Sequence, residues 1–99
     1  MAGRIEGKVA VIVGGGQTPG ETIGNGRATA ILLAREGARV IVADRDLESA
    51  QDTVDLIAIE NGDATAAQLD ATDEAAVKAL ITDIAGRYGS IDILHNNVG

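Results

Sequence analysis

Lys8-Val9-Ala10-Val11-Ile12-Val13-Gly14-Gly15-Gly16, followed after a short interval by Gly24-Asn25-Gly26-Arg27-Ala28, is the stretch on which the fold turns. Lys8 to Val13 reads as a strand, because Val9 to Val13 are continuously apolar and largely β-branched. Such a run suits a strand buried on both faces, as in a parallel sheet under helices. The glycines of the next segment permit a tight turn. From Asn25 or Gly26 to Glu36 the chain reads as a helix, with Ala28, Ile31, Leu32 and Ala34 available for packing and Gly37 as its stop.

Outward from that unit the alternation repeats. Arg39 to Ala43 is a second strand that ends at Asp44. Leu47 to Glu60 is a second helix with an apolar stripe of Leu47, Ala50, Val54, Ile57 and Ala58, ended by Asn61-Gly62. Ala64 to Leu69 is a third strand, the weakest by β-propensity. Thr72 can cap a third helix, with Asp73 and Glu74 in its first turn. Val77, Leu80, Ile81, Ile84 and Tyr88 follow a helical period up to Gly89, and Ile91 to Leu94 or His95 forms a fourth strand. The order β-α-β-α-β-α-β predicts a doubly wound α/β fold: a parallel sheet in three αβα layers, Rossmann-like, with strand order 3-2-1-4.

Composition agrees with this architecture and excludes other classes. The 99 residues are 45 % hydrophobic, yet Tyr88 is the one aromatic residue, so the core must be built from Val, Ile, Leu and Ala. A net charge of -7 argues against a nucleic-acid partner. The absence of cysteine rules out disulfides and thiolate chemistry within these residues. No apolar run is long enough to span a bilayer, and a cytoplasmic protein with no membrane partner is the expectation. The fourth strand would leave an apolar edge and a partly bare sheet face. From this we expect residues 1–99 to be the amino-terminal part of a single larger domain.

Gly14, Gly15, Gly16, Gly20, Gly24 and Gly26 lie between the first strand and first helix. There they allow the backbone to approach a pyrophosphate, which the helix N-terminus then favours through its N–H groups and dipole. The alternative is a flexible loop that binds nothing. Gly15 to Thr22 has the spacing of a nucleoside-triphosphate loop, but Glu21 stands where the phosphate-binding lysine is needed. Asp44, 18 residues beyond Gly26, stands where an acceptor can bind the adenosine ribose hydroxyls and repel a 2'-phosphate. That favours NAD over NADP. Arg45 counts the other way, since its guanidinium could attend a phosphate. Asp44 could also serve as a cap for the second helix.

These residues resemble the short-chain dehydrogenase/reductase family. The family's glycine pattern after the first strand is similar to Gly14-Gly15-Gly16-Gln17 followed by Gly24-Asn25-Gly26, with Val13 in place of threonine and the segment Thr18 to Ile23 as an insertion. Leu69-Asp70-Ala71-Thr72-Asp73 resembles the family's segment after strand three, and Tyr88 to Leu94 its approach to strand four. Asn96-Asn97-Val98-Gly99 resembles Asn-Asn-Ala-Gly. The resemblance covers nearly the whole chain. It implies cofactor contacts from Gly14, Gly16, Gln17, Gly24, Asn25, Gly26, Asp44, Arg45, Asp70, Ala71, Asn97 and Gly99, with Asp70 at the adenine amino group and Ala71 at the ring. It also implies hydride transfer between NAD(H) and a small hydroxyl or carbonyl substrate, in a protein that is a homodimer or homotetramer when complete.

The family's catalytic serine and Tyr-x-x-x-Lys pair would lie downstream, so no catalytic residue is assigned here and residues 1–99 alone are expected to be inactive. Asn96 and Asn97 belong to the sheet-stabilising motif rather than to proton transfer. His95, the single histidine, departs from the family's usual apolar residue and is expected to pack rather than react. Tyr88 is followed four residues later by Asp92, not lysine, and is expected to be a packing residue. Asp70, Asp73 and Glu74 are better explained by capping and adenine recognition than by a metal. Gln17, Thr18 or Thr22 could touch the cofactor or stabilise a turn at Pro19-Gly20. Arg27 could contact phosphate or face solvent. Two other classes compete: a non-catalytic dinucleotide sensor, and an adenosine-cofactor methyltransferase, which Asn96 to Gly99 and the long glycine loop disfavour.

Overall fold

The computed structural model describes residues 6–14, 25–70 and 72–96. Four parallel strands, β1 (Val9–Val13), β2 (Arg39–Asp44), β3 (Asp63–Gln68) and β4 (Ile93–Asn96), alternate with three helices, α1 (Asn25–Arg35), α2 (Leu47–Ile59) and α3 (Glu74–Tyr88). The sheet order is β3-β2-β1-β4, as the sequence predicts. β1 is central, and each of its five residues is buried. Its neighbours pair in one register, with Val13 opposite Ala43 on β2 and Asn96 on β4.

Alternate side chains of the strands feed two separate cores. Ala10 and Ile12 of β1 join Val40 and Val42 of β2 beneath Ala30 and Ala34 of α1 and Ala50 and Ile57 of α2. Val9, Val11 and Val13 join Ile41 and Ala43 on the opposite face, against Ile84 of α3. The sheet is therefore covered on both sides, with α1 and α2 on one face and α3 on the other. The small residues on α1 let that helix approach the sheet closely. β3 is strand-like despite its alanines because its pairing with β2 runs unbroken from Asp63 to Gln68.

Several details differ from the expectation. On α1 the buried side chains are those of Ala30 and Ala34, with Gly26 buried ahead of them, whereas Ala28 is exposed and Leu32 is 57 % exposed. On α2 the inward stripe is Ala50, Thr53 and Ile57, while Leu47 and Ala58 point outward. A helix of alanines and leucines offers more than one apolar stripe, and the short side chains win the position nearest the sheet. Asp73, not Thr72, caps α3: its carboxylate accepts the Ala76 N–H at 3.1 Å. Thr72 turns back instead to Asp70, whose Oδ1 accepts from its hydroxyl at 2.6 Å and its N–H at 2.9 Å. β4 begins at Ile93 rather than Ile91. Ahead of it the Asp92 N–H donates to the Val9 carbonyl, and its carboxylate accepts the Val9 N–H, each at 2.9 Å. Asp92 thus ties the start of β1 to the approach of β4.

Tyr88 packs at the edge of the α3-side core, and its ring lies 5.0 Å below the Arg39 guanidinium. Arg39 also bonds Asp63, its register partner on β3, at 2.8 Å. This group sits at the amino edge of the sheet, opposite the end that matters for binding. Tyr88 is the packing residue that its helical spacing predicts.

Candidate functional site at the carboxyl edge of the sheet

In an open parallel sheet, a ligand binds beyond the carboxyl ends of the strands where the chain order reverses. Here that reversal lies at β1, since α1 leads to β2 on one side and α3 leads to β4 on the other. Gly14 follows β1 immediately. Its φ of 81° is left-handed, a conformation that costs an L-residue roughly 1–2 kcal/mol and glycine little. Its N–H donates to the Ala43 carbonyl at 2.7 Å, which fixes the turn against the last residues of β2. Asp44 follows Ala43. The phosphate turn and the proposed ribose acid are therefore neighbours across one strand pair.

The first turn of α1 begins at Asn25, and Gly26 is buried within it. It carries no acidic residue, unlike α2 and α3, which place Glu48 and Glu74 in theirs. Acidic side chains usually neutralise the positive end of a helix. Leaving α1 without one preserves that field for an external anion. The glycine turn, the small buried residue and the acid-free helix end fit a pyrophosphate.

Asp44 is half-buried at the end of β2. It does not cap α2: that role falls to Asp46, whose carboxylate accepts the Ser49 N–H at 3.3 Å. Asp44 instead accepts the Asp46 N–H on Oδ1 at 2.9 Å, which orients its carboxylate at the sheet edge. Arg45 is exposed, and the Gln68 side chain donates to its carbonyl at 3.2 Å. Asp70, also exposed, follows β3. The Thr72 hydroxyl and N–H hold its carboxyl below the usual carboxylate range, with a smaller contribution from the charge of Arg45. Asp70 is thereby held as an anionic acceptor near neutral pH.

The structure brings Gly14, Asn25, Gly26, Asp44, Arg45 and Asp70 to the carboxyl-end side of the sheet. Gly16, Gln17, Gly24, Ala71, Asn97 and Gly99 lie outside the described residues, as do Thr18 and Thr22. His95, on β4 opposite Ile12, is half-buried, and its buried Nε2 has no hydrogen-bond partner among the described residues. Among the described residues no group of acidic, histidine or cysteine side chains could hold a metal. Among them, too, no helix is long and apolar enough to cross a membrane.

Arg27 is where the sequence reading most needs correction. Its guanidinium turns to α2 rather than to solvent: Nε donates to Thr53 Oγ1 at 2.8 Å and Nη2 to the Ser49 carbonyl at 3.2 Å. Thr53 is fully buried, a role that the apolar stripe did not assign to it. Its spacing from Ala50 and Ile57 places it on the inward face of α2, and a polar residue there needs a partner.

The fold and this edge define a dinucleotide-binding α/β unit, and the comparisons specify which. Residues 8–99 match the family model described as short chain dehydrogenase. The chain is 44 % identical over 95 residues to a sorbitol dehydrogenase of Cereibacter sphaeroides, covering 95 % of this chain and 33 % of that protein. A structure from Burkholderia xenovorans assigned to the short-chain dehydrogenases/reductases superposes with a TM-score of 0.91 at 48 % identity, over 99 % of this chain and 38 % of that one. A metagenomic short-chain oxidoreductase, solved in complex with NADP, gives a TM-score of 0.82 at 30 % identity over 91 % of this chain and 38 % of that one. This chain belongs to the short-chain dehydrogenase family. It spans about a third of the length of its curated relatives.

Proposed function

We propose that residues 1–99 form the cofactor-holding, amino-terminal part of a single dinucleotide-binding domain in an NAD(P)-dependent oxidoreductase. The complete protein would transfer a hydride between the nicotinamide and a small alcohol or carbonyl substrate. The observation that carries this reading is the adjacency of the Gly14 turn and Asp44, joined through the Gly14 N–H to Ala43 carbonyl bond. One ligand that presents a pyrophosphate and a ribose diol could engage both. Family membership supplies the reaction class. When bound, the nicotinamide supplies the hydride acceptor or donor.

Within that assignment the residues have separate tasks. Gly14, Gly16, Gln17, Gly24, Asn25 and Gly26 would hold the pyrophosphate, Asp44 the adenosine ribose, and Asp70 and Ala71 the adenine. Asn97 and Gly99 would lie beside the cofactor. NAD is preferred over NADP, because the Asp44 carboxylate would meet a 2'-phosphate with like charge, while Arg45 reduces that preference. The catalytic groups lie outside residues 1–99, so this piece alone binds without turnover. The complete protein would act in the cytoplasm as a homodimer or homotetramer.

Titration of the full-length protein with NAD and NADP, followed by cofactor-linked assay against secondary alcohols, tests the assignment. Binding of both cofactors with NAD tighter is expected. Tighter NADP binding would overturn the role given to Asp44, and absence of binding to either would overturn the assignment itself.

A further inference from the structure

The two halves of the cofactor site are joined by a series of hydrogen bonds, exposed at the start of α2 and part-buried where α2 meets α1. It begins at the ribose acid. Asp44 Oδ1 accepts the Asp46 N–H at 2.9 Å, and Asp46 Oδ1 accepts the Ser49 N–H at 3.3 Å. The Ser49 carbonyl accepts from the Thr53 hydroxyl at 3.4 Å and from Arg27 Nη2 at 3.2 Å. Thr53 Oγ1 in turn accepts from Arg27 Nε at 2.8 Å. Arg27 follows Gly26 in the first turn of α1, at the carboxyl-end side of the sheet.

The geometry points to Thr53 and Arg27 as positioning residues that set the distance between the pyrophosphate-binding helix end and the ribose acid. Resting on the cofactor assignment above, this reading concerns residues that would touch no part of the ligand. Two features distinguish it from ordinary helix packing. Thr53 is fully buried, and among the described residues it is the buried polar side chain of an otherwise aliphatic core. A valine would fill nearly the same space, so what the hydroxyl adds is its bonds to Arg27 and the Ser49 carbonyl rather than volume. The Arg27 guanidinium, moreover, meets a side chain and a carbonyl one helical turn apart on α2, which fixes the rotation of α1 as well as its distance.

The consequence is specific to ligands that span both ends. ADP-ribose would contact the α1 end through its pyrophosphate and Asp44 through its ribose. Adenosine would reach Asp44 and the adenine contacts but not the helix end. Loss of the clamp should therefore weaken ADP-ribose and leave adenosine nearly unchanged.

The test uses full-length protein and calorimetric titration with ADP-ribose and adenosine. Thr53→Val keeps the volume and removes the hydroxyl; Thr53→Ser keeps the hydroxyl and loses a methyl. Thr53→Val is expected to weaken ADP-ribose by about five-fold or more, the ordinary scale of coupling between sites, with Thr53→Ser close to wild type. Arg27→Lys, which retains charge but not the two-point fork, should behave like Thr53→Val and remains informative if the valine variant fails to fold. Combined with Thr53→Val it should add less than its effect alone, because the two residues share the Nε–Oγ1 bond. Thr53→Ser weakened as much as Thr53→Val, or equal losses for ADP-ribose and adenosine, would reduce the clamp to packing and overturn the proposal. Unchanged ADP-ribose binding in both Thr53→Val and Arg27→Lys would do the same. Failure of the wild-type protein to bind ADP-ribose would instead remove the cofactor assignment, and the clamp with it.

Discussion

Gly62 follows α2 and opens onto β3, and replacing it with alanine should destabilise the protein although the backbone there is not left-handed. A Cβ at this position would lie 2.5 Å from Ile57 Cγ2, 3.2 Å from the Ile57 carbonyl oxygen and 3.3 Å from Ala34 Cβ. Carbon atoms pack best about 3.5–4.0 Å apart, so the first contact is about 1 Å too close. Ile57 is 1 % exposed, and as a β-branched residue in a helix it has one strongly preferred rotamer. The helix, rather than a side-chain tip, must therefore give way. Overpacking of this kind costs about 1–3 kcal/mol. The lower chain entropy of alanine in the unfolded state returns about 0.4–1 kcal/mol. A net loss of about 1.5 kcal/mol remains, or about 3–6 °C in melting temperature for a domain of roughly 150–250 residues. The Gly62 N–H bond to the Ile57 carbonyl, at 2.9 Å, is retained in alanine and is not the source of the loss.

Thermal and urea unfolding of full-length Gly62→Ala, followed by circular dichroism, measures this effect. Ile57→Leu supplies the control, because it moves the branch from Cβ to Cγ and deletes the colliding methyl. In the double variant the cost of Gly62→Ala should shrink. A Gly62→Ala protein that melts at or above the wild-type temperature would refute the steric reasoning. Strict additivity with Ile57→Leu would show that the clash arises elsewhere.

Three further outcomes follow from the site and the core. Gly14→Ala should weaken NAD binding and lower stability by about 1–2 kcal/mol, the cost of placing an L-residue in the left-handed region; unfolding and NAD titration of the same sample check both. Asp44→Ala should weaken NAD by about ten-fold, the scale of a hydrogen bond to a charged group, while weakening NADP less, so the ratio of the two dissociation constants is the readout. Thr72→Val should raise the Asp70 titration midpoint, observed by carboxyl-carbon NMR, towards the value of a free carboxylate. Because folding lowers the Asp70 midpoint, its stabilising contribution is present at neutral pH and is lost as pH falls below about 4 towards the folded midpoint; a midpoint unaltered by Thr72→Val would contradict the assigned cause.

The order of elements and the sheet topology were legible because strand and helix here differ in a feature that needs no tertiary information. Val9 to Val13 has no polar interruption, whereas the helices keep a period near 3.6. Glycine and asparagine punctuation marked the helix ends, and Gly89 and Asn61 both carry positive φ. What the sequence left ambiguous was rotation. In α1, Ala28, Ala30, Ile31, Leu32, Leu33 and Ala34 supply apolar groups around much of the circumference. Which of them faces the sheet depends on the permitted approach distance, and Ala30 and Ala34 allow the closest one. The same ambiguity hid Thr53 behind Val54 in α2.

The site divides along a related line. Gly14, Gly26 and Asp44 are visible in sequence because their features are local: a left-handed turn, a buried glycine in a helix's first turn, an acid at a strand end. Arg27 is not, because its role is set by Ser49 and Thr53 on another helix, 22 and 26 residues away. A solvent-facing arginine and a part-buried one bonded to the next helix look identical until the rotation of both helices is known. A physical cue nevertheless existed in the inward spacing of Thr53, since a buried hydroxyl beside aliphatic neighbours requires a polar partner from outside its own stripe. On α1 the first-turn arginine is the long donor placed to supply one. Reading cofactor sites in this fold therefore means asking what fixes each binding element against the next, as well as which residues would touch the ligand.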